Sequence, residues 1–416
     1  MKIVLILIST YMGLFGLSIS ESIDLAINNS PKVSISKSNI KYNKYIKDEA
    51  TSAYHPTLDA GFAWQKIKNE TSFSVNPNHN FNLSLKYNLF NGFSDSSTIK
   101  SKESELQAAK LEDNAVIADL KLAVTVAYTD YLKAKKLILA QEEQFSTLTK
   151  QYEDANVRYE EGIIAKNDLL LIDVEKLNAQ QALIKAKSDL IIAKSNLENI
   201  IAIDISANEK IDDFDASVEE PKDIEYLYEQ MMNNRSEIKA MRFKSKSLLS
   251  QRDAITGNYL PKVNIEVSHQ INSKEKVSTT SVIQPKDQTT YGVNATWNLY
   301  SGSRDLAMKK ALLEKNNQQN FQLHQMKLDL KKQLIQVYED FKVASSAKHV
   351  AARAKESAKE NYRITSDRYS YGDVDTLTLL VSQSNLTQAV NENNDAYYNL
   401  YVAYKALQRV VGLNTL

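Results

Sequence analysis

The feature that most constrains the fold of this chain is an internal duplication. Glycines and prolines recur at matching positions: Pro56 with Pro261, Pro77 with Pro285, Gly92 with Gly302, and Gly162 with Gly372. The offset between the copies is 205 residues up to Pro56 and 210 residues from Gly92 onward, so the second copy carries five extra residues between Pro261 and Asn298. Because a duplicated sequence repeats one structural unit, we expect each half to contain the same elements in the same order.

Each copy contains two segments in which apolar and polar residues alternate. The apolar positions are Leu58, Ala60, Phe62 and Trp64, then Phe81, Leu83, Leu85, Tyr87 and Leu89 in the first copy, and Val263, Ile265 and Val267, then Tyr291, Val293, Ala295, Trp297 and Leu299 in the second. A period of two residues predicts strands with one apolar and one polar face. At about ten residues each, these strands have the length of tilted membrane-spanning strands. The alternative interpretation is the half-buried sheet of a soluble protein.

Long helices are predicted after the strands of each copy. Residues 94–161 and 303–371 contain no glycine or proline and are rich in helix-favouring residues, so each run predicts a helix of roughly 100 Å. After Gly162 a repeat of three and four residues follows: Ala179, Leu183, Ala186, Leu190, Ala193, Leu197 and Ile200, copied as Ala389, Asn393, Ala396, Leu400, Ala403, Leu407 and Val410. A sustained 3.5-residue period predicts a coiled-coil seam. Gly162 and Gly372 are therefore predicted to be the turns of two antiparallel helical hairpins.

Four amphipathic strands per chain imply an oligomer if the strands lie in a membrane. About eight strands are needed before a barrel closes around a filled interior. In lipid, each unpaired backbone group at a sheet edge costs several kcal/mol, so the edges must pair with those of other copies. Two, three or four copies supply eight, twelve or sixteen strands, and polar inner faces suit a water-filled lumen.

The first twenty residues have the pattern of a secretory signal peptide. A single lysine precedes an apolar stretch from Ile3 to Leu17, and Ser18 and Ser20 provide small residues before a cleavage expected near Glu21. A membrane anchor is the alternative. The chain has no cysteine, which excludes disulfide scaffolds, thiolate catalysis and thiolate metal sites. Its 51 basic and 51 acidic residues balance, so no nucleic-acid partner is expected.

The duplication also sets the expected domain boundaries. After the signal peptide at 1–20, residues 21–210 form the first repeat, with a helix, two strands and a long helical hairpin. Residues 211–222 form a solvated acidic linker, and residues 223–416 form the second repeat. The five histidines have no spacing typical of a metal site, and the glycines never cluster into a phosphate-binding loop. We therefore expect no metal and no cofactor.

Three duplicated motifs together resemble the TolC-like outer-membrane factor family, the bacterial exit ducts of efflux pumps and type I secretion systems. They are the junctions YNLFNGFSD (87–95) and WNLYSGSRD (297–305), the segments AYTDYL and VYEDFK around Tyr128 and Tyr338, and the tips RYEEGIIAKNDLL and RYSYGDVDTLTLL. The resemblance covers about residues 21–416. It implies a mainly α protein with membrane β, in which three protomers of four strands each form a twelve-stranded transmembrane β-barrel continued by an α-barrel of long coiled-coil helices.

The resemblance also implies where the protein lies and what it binds. The barrel spans the outer membrane in contact with its lipid, and the helices project into the periplasm. The expected partners are two further copies in a homotrimer, a periplasmic adaptor (membrane fusion) protein and an inner-membrane pump of the RND or ABC type. No enzymatic activity is implied, since the pump drives transport through a passive duct.

The tips carry the residues that the resemblance assigns to adaptor docking. The family motif is an arginine, a glycine four residues on, and a leucine seven residues beyond the glycine. It is matched by Arg158, Gly162 and Leu169 and again by Arg368, Gly372 and Leu379, with Tyr159 and Tyr369 beside the arginines. The alternative is a role confined to the turn, because glycine ends helices in the left-handed conformation and arginine complements the helix dipole.

A constriction at the periplasmic entrance is expected in altered form. In the best-known members of the family, acidic residues two turns beyond the second tip glycine narrow this entrance. The corresponding residues here are Thr378 and Val381. Asp168, Asp373 and Asp375 lie nearer the tips, and with Thr378 they are the candidates for a constriction.

The leading hypothesis is therefore a passive outer-membrane duct. The rival is a periplasmic coiled-coil scaffold or adhesin stalk without a pore, whose strands form a small soluble sheet. The exported substrate, and the choice between drug or metal efflux and protein secretion, belong mainly to the pump and are not encoded in these motifs.

Overall fold

A computed structural model of the chain describes residues 17–66, 78–206, 211–215, 218–272 and 286–413. Most of the expected signal peptide and the expected loops at Pro77 and Pro285 lie outside the described residues. The chain divides into two compact units. Unit 1 comprises the residues up to Ser36, Asp113–Ser236 and those from Lys327 onward, and unit 2 comprises Lys37–Glu112 and Glu237–Met326.

Both copies of the duplication fold into the same series of elements. The first contains α1 (Ile19–Asn29), α2 (Pro31–Thr51), a 3₁₀ turn (Ser52–Tyr54), β1 (Thr57–Gln65), β2 (Asn78–Asn91), α3 (Ser94–Glu160) and α4 (Lys166–Ile201). The second contains α5 (Ile224–Asn234), α6 (Ser236–Thr256), a 3₁₀ turn (Gly257–Tyr259), β3 (Lys262–Asn272), β4 (Asp287–Thr296), α7 (Arg304–Ser370) and α8 (Thr376–Val411). The helix bounds recur at offsets of 205 and 210 residues, which confirms the predicted long hairpins, four strands and duplication. No helix among the described residues is both long and apolar enough to cross a membrane.

The single helix expected at the start of each repeat is two helices. Ser30 separates α1 from α2 with an extended backbone, and Pro31 follows it. A proline disfavours the helical conformation in the residue before it, which accounts for the break. No proline follows Arg235 at the equivalent break in the second copy. There the Arg235 guanidinium donates to the carbonyls of Arg409 and Val410 at 2.6 and 3.1 Å, which holds the break in place.

The four strands form one antiparallel sheet in the order β1-β2-β3-β4. Thr57 lies opposite Lys86 in the first hairpin, and Lys262 lies opposite Thr296 in the second. Adding 205 to the first residue of the first pair and 210 to its second residue gives the second pair. The two copies therefore share strand register as well as element order. Between the hairpins Lys86 lies opposite Glu266, with 4.0 Å between the Lys86 Nζ and Glu266 Oε1 atoms.

The last strand is shorter than its sequence pattern predicts. Alternation continues to Leu299, but β4 ends at Thr296, which lies opposite Lys262, the first residue of β3. β4 stops pairing at the residue opposite the start of β3, because no strand of the described chain lies alongside it beyond that point. The alternation of apolar and polar residues in β4 does not show where β3 begins. Trp297, just beyond the strand, donates its indole N–H to the Tyr259 carbonyl at 3.0 Å.

Two glycines of unit 2 meet backbone to backbone. Gly92 follows β2 with a φ of +60°, and a Cβ on it would stand 2.2 Å from the Gly257 carbonyl oxygen. A Cβ on Gly257 would stand 2.6 Å from the Gly92 carbonyl oxygen. Side chains are thus excluded from both positions, and we call this contact the glycine crossing. In the described chain, the equivalent Gly302 has no atom within 4 Å of its Cβ position.

The core of unit 1 lies along the predicted coiled-coil seam. Ala179, Ala186 and Leu197 of α4 are buried, as are their copies Ala389, Ala396 and Leu407 of α8. Small residues at alternate seam positions let helices pack closely, as the 3.5-residue period predicts. Tyr128 of α3 is fully buried in the same unit, and its hydroxyl lies 2.8 and 2.6 Å from the carbonyl oxygens of Leu17 and Asp212.

The segment 211–215, which we call the strap, belongs to the predicted acidic linker 211–222; its three aspartates are exposed, whereas Ile211 is buried and Phe214 is half-buried. Ile211 is only 3% exposed and forms an isolated β-bridge with Leu17. The Phe214 ring lies 4.7 Å from the Tyr401 ring, centroid to centroid. Two apolar side chains among the acids therefore anchor the segment, because removing their surface from water is favourable while the carboxylates beside them stay exposed.

Candidate functional site

The turn between α3 and α4, the first tip, closes through a glycine. Gly162 has a φ of +75°, and its N–H donates to the Tyr159 carbonyl at 3.0 Å. The N–H of Ile163 donates to the Arg158 carbonyl at 2.8 Å. This pair of bonds is the Schellman pattern, in which a left-handed residue after the helix lets the last carbonyls be satisfied. The turn uses only the backbone of Arg158, and it needs the conformational freedom of glycine at 162.

The turn between α7 and α8, the second tip, has the same geometry. Gly372 has a φ of +81°, and its N–H donates to the Tyr369 carbonyl at 3.1 Å. The N–H of Asp373 donates to the Arg368 carbonyl at 3.0 Å. The predicted hairpin turns are therefore confirmed at both glycines.

The arginine side chains are not needed for these turns. The Arg158 guanidinium carbon lies 5.7 Å from the centroid of the Tyr369 ring, which is a cation–π contact. The Arg368 side chain is exposed and forms no hydrogen bond or ion pair with the described residues. Tyr159 is 38% exposed. The tips thus present cationic and aromatic groups on their surface.

The two tip leucines are placed differently from the arginines. Leu169 is 9% exposed and packs in a cluster with Leu148 and Ile172, and Leu379 is 2% exposed. Both side chains hold the first turns of α4 and α8 against the core of unit 1. In this conformation neither leucine is available on the surface.

The acidic candidates for a constriction lie at the starts of α4 and α8. Asp375 is the N-cap of α8, and its carboxylate accepts from the Thr378 N–H at 2.8 Å. Hydrogen bonds from the hydroxyl and N–H of Thr378 lower the pKa of the Asp375 carboxyl. In the first copy the N-cap is Ala165 and the acid is Asp168, in the first turn. Both positions favour a carboxylate through the helix dipole.

The fourth candidate, Asp373, contributes its backbone N–H to the second tip. Narrowing of an entrance by these four residues remains a prediction about the assembled oligomer. Within the described parts of the chain, no three His, Cys, Asp or Glu side chains gather into a group that could hold a metal ion.

The sheet of unit 2 exposes one apolar face. Its two outer strands, β1 and β4, expose Leu58 at 66%, Phe62 at 70%, Trp64 at 57%, Tyr291 at 78% and Val293 at 72%. All five have the apolar parity of the alternating pattern. A contiguous apolar face of this kind is typical of contact with lipid or with another subunit.

Both edges of the sheet are open. Among the described residues, β1 pairs only with β2, and β4 pairs only with β3. Every residue of β1 and of β4 is exposed. Unpaired N–H and C=O groups along such strands need partners wherever water is absent.

Comparison with known proteins decides the family. The sequence profile of the outer membrane efflux proteins matches residues 22–202 and 227–413. These two segments correspond to the two copies of the duplication and cover most of the chain. The chain belongs to the outer membrane efflux protein family.

Solved structures show the same fold as this efflux protein. The channel-forming protein CusC has a TM-score of 0.81 and 13% identity, over 95% of this chain and 92% of that one. The outer membrane protein VceC from Vibrio cholerae has a TM-score of 0.78 and 14% identity, over 95% and 96%. The CmeC outer membrane channel of Campylobacter jejuni has a TM-score of 0.78 and 13% identity, over 95% and 85%. No curated protein matches the sequence significantly.

Family membership settles the broad function and the location. The efflux protein is an outer-membrane channel rather than an enzyme, and its helices extend into the periplasm. The open, apolar sheet of unit 2 is therefore membrane structure, and the alternatives of a soluble sheet and of a poreless scaffold or stalk are wrong.

Some structurally important residues were missed by the sequence interpretation. The pattern of paired glycines does not include Gly257, because the equivalent residue in the first copy is Ser52. Ile211 and Phe214 were hidden by the acids around them, although two apolar residues three positions apart in an acidic run were a usable signal. These residues matter through single contacts between distant parts of the chain.

Proposed function

We propose that this efflux protein is the protomer of a trimeric exit duct, engaged at its helical tips by a periplasmic adaptor and supplied by an inner-membrane pump. The pump is of the RND or ABC type, so the duct serves efflux or type I secretion. The duct itself is passive, since the family consists of channels.

The docking proposal rests on one observation, which is that the backbone alone closes the turn at each tip. Each turn is closed by backbone hydrogen bonds to the carbonyls of Arg158 or Arg368 and by a left-handed glycine. Any residue type supplies such a carbonyl. Neither turn uses a guanidinium group: that of Arg158 contacts the Tyr369 ring, and that of Arg368 is exposed. A charged, planar donor group is well suited to binding a protein surface.

The open edges of the sheet support the trimer. Each protomer brings four strands and two unpaired edges. Three protomers supply the twelve strands that the family resemblance implies, with a polar interior wide enough for a water-filled lumen.

The docking proposal is tested by reversing both tip charges. We expect Arg158→Glu combined with Arg368→Glu to abolish export in a strain that lacks the chromosomal copy of the gene, because the variant tips repel the surface that binds arginine. Growth in the presence of dyes, detergents and metals measures export. Trimers in detergent should persist, because the turns do not use the side chains.

A matched control is available on the same helix. Arg353 of α7 is exposed and lies about four turns before Arg368, so Arg353→Glu makes one of the two charge reversals on the same helix but away from the tip. We expect this control to export normally. Unchanged export by the double variant, with normal amounts of trimer, would contradict docking through the tip arginines.

A further inference from the structure

We propose that the signal peptide of this chain is cut between Gly16 and Leu17, four residues earlier than the sequence pattern predicts. Leu17 is then the first residue of the mature protein. The enzyme that this site fits is a signal peptidase, the class of protease that removes secretory leaders. Cleavage before Glu21 would remove residues 17–20, and the folded protein uses these residues in its core, its backbone pairing and its first helix cap.

The side chain of Leu17 belongs to the core of unit 1. It is 2% exposed and lies in one cluster of buried side chains with Tyr128, Ile201 and Ile211. Removing a buried leucine from a close-packed interior leaves a cavity, and the surrounding residues relax only in part. A mature chain that begins at Glu21 would carry this cavity.

The backbone of Leu17 is also part of the fold. Its carbonyl oxygen accepts from the Asp212 N–H at 3.2 Å and lies 2.8 Å from the Tyr128 hydroxyl. The first of these bonds belongs to the isolated parallel bridge between Leu17 and Ile211. Without Leu17 the strap would lose this backbone partner, and Ile211 would lose a neighbour in the core.

Ser18 caps the first helix. Its hydroxyl accepts from the Glu21 N–H at 3.3 Å, and the Glu21 carboxylate accepts from the Ser18 N–H at 2.9 Å. This reciprocal pair is a capping box, which satisfies N–H groups that have no partner within the helix. A cut before Glu21 would remove the cap together with Ile19 and Ser20, the first two residues of α1.

The second copy shows that the cap belongs to the repeated unit. Adding 205 to Ser18 gives Asp223, which is the N-cap of α5 and whose carboxylate accepts from the Glu225 N–H at 3.1 Å. The same offset moves α1 onto α5 from its first residue to its last. The second copy lies in the middle of the chain, far from any leader, so it shows the full extent of the unit. The first copy therefore includes Ser18.

Small residues alone leave several bonds open to cleavage. Gly16 with Ser18, and Ser18 with Ser20, have the small-x-small spacing of a cut after Ser18 or after Ser20. Both of these cuts remove Leu17, whose contacts favour the bond before it. A cut after Gly16 keeps Leu17 and places a small residue directly before the bond. It also leaves a mainly apolar stretch of 13 residues, from Ile3 to Phe15, which is within the length of a secretory leader.

The next small residue upstream, Gly13, is less suitable. A cut after Gly13 would place the aromatic Tyr11 where the first small residue of an A-x-A site is expected. Leu14, which is aliphatic and smaller, has this position for the bond after Gly16. The bond before Leu17 therefore agrees best with both the contacts and the sequence.

Mass spectrometry of the full-length protein purified from the outer membrane tests the assignment. After trypsin digestion the N-terminal peptide ends at Lys32, the first basic residue beyond the leader. We expect this peptide to begin at Leu17. A peptide that begins at Ile19, at Glu21 or at any other residue, or that comes from the uncut chain, would overturn the proposal.

Two leucine variants test the same assignment through stability. Leu17→Ala changes the mature protein only if Leu17 is retained, and we expect it to lower the midpoint of thermal unfolding in detergent by several degrees, because a buried side chain is shortened. Leu14→Ala is the matched control, because Leu14 lies in the part that is removed, and its midpoint should equal that of the natural protein. Equal midpoints for the two variants would contradict the retention of Leu17 in the core.

A second pair of variants identifies the bond itself. Gly16→Leu removes the small residue before the proposed bond, and we expect severalfold less protein that begins at Leu17. Ser20→Leu makes a similar change at an exposed residue, before the bond that the sequence pattern favours, and should leave the N-terminus at Leu17. Normal cleavage of Gly16→Leu, or a block in Ser20→Leu, would place the processing site elsewhere and overturn the proposal.

Discussion

The glycine crossing makes a strong prediction about stability. Replacing Gly92 by alanine adds a Cβ at 2.2 Å from the Gly257 carbonyl oxygen, 2.9 Å from its carbon and 3.1 Å from its Cα. All three are backbone atoms, so no flexible side chain can move aside. An ordinary contact needs about 3.4–4 Å, and the two segments must therefore separate by more than an ångström.

Two costs add up in Gly92→Ala. Forcing alanine into the left-handed conformation at a φ of +60° costs about 1–2 kcal/mol. Overpacking against fixed backbone costs about 1–3 kcal/mol more. Gly162→Ala serves as a matched control, because its φ of +75° carries the first cost while no atom lies within 4 Å of its Cβ position. Gly257→Ala carries only the second cost, since its φ is not in the left-handed region.

Thermal unfolding in detergent, followed by helical circular dichroism, measures the difference. A unit of 150–250 residues shifts by about 2–4 °C per kcal/mol, so the extra cost of about 1–3 kcal/mol should make Gly92→Ala unfold roughly 2–12 °C below Gly162→Ala. The double variant Gly92→Ala with Gly257→Ala should lose less than the sum of the single losses, because one separation relieves both contacts. Equal midpoints for Gly92→Ala and Gly162→Ala would refute the reasoning.

Two further predictions concern unit 1. Tyr128→Phe should lower the free energy of unfolding by about 1–3 kcal/mol, because it leaves the two carbonyls that the tyrosine hydroxyl contacts without their hydrogen-bond donor. Tyr338→Phe, at the copied position, should change this free energy little, because the Tyr338 hydroxyl bonds to no described residue. Denaturant titration compares the two variants. Burial favours the protonated form of Asp213, but hydrogen bonds from Lys136 and Tyr398 outweigh it and lower the pKa of its carboxyl. The ionised carboxylate of Asp213 therefore stabilises the fold at pH values above the pKa of about 3.9 in the unfolded chain, and this stabilisation is lost as the pH falls through the lower pKa of the folded state. Asp213→Asn should therefore make the midpoint of unfolding depend less on pH on the acid side. An unchanged slope would contradict this account.

The acidic candidates at the tips show how far a sequence motif reaches. The family resemblance suggested a constriction, and the structure adds that Asp375 caps α8 while the side chain of its copy, Ala165, makes no capping hydrogen bond. The acid has moved from the N-cap to the first turn, at Asp168, between the copies. Helix capping depends only on local backbone geometry within one chain. A constriction depends on how several copies are arranged around the axis of the oligomer.

The sequence alone determined the duplication, the strand and helix periods, the two tip turns and the need for other copies at the sheet edges. These features repeat along the chain with fixed periods, and each period follows from the local geometry of a strand, a helix or a duplicated unit. The register of the hairpins also follows the offsets, because the two copies obey the same turn and pairing rules.

Only the tertiary structure decided which single contacts stabilise each unit internally. The crossing of Gly92 with Gly257, the anchoring of the strap by Ile211 and Phe214, and the burial of Leu169 each occur between residues that lie far apart or appear ordinary in sequence. Such contacts depend on close packing between surfaces that form only when the chain has folded, and close packing leaves no period in the sequence.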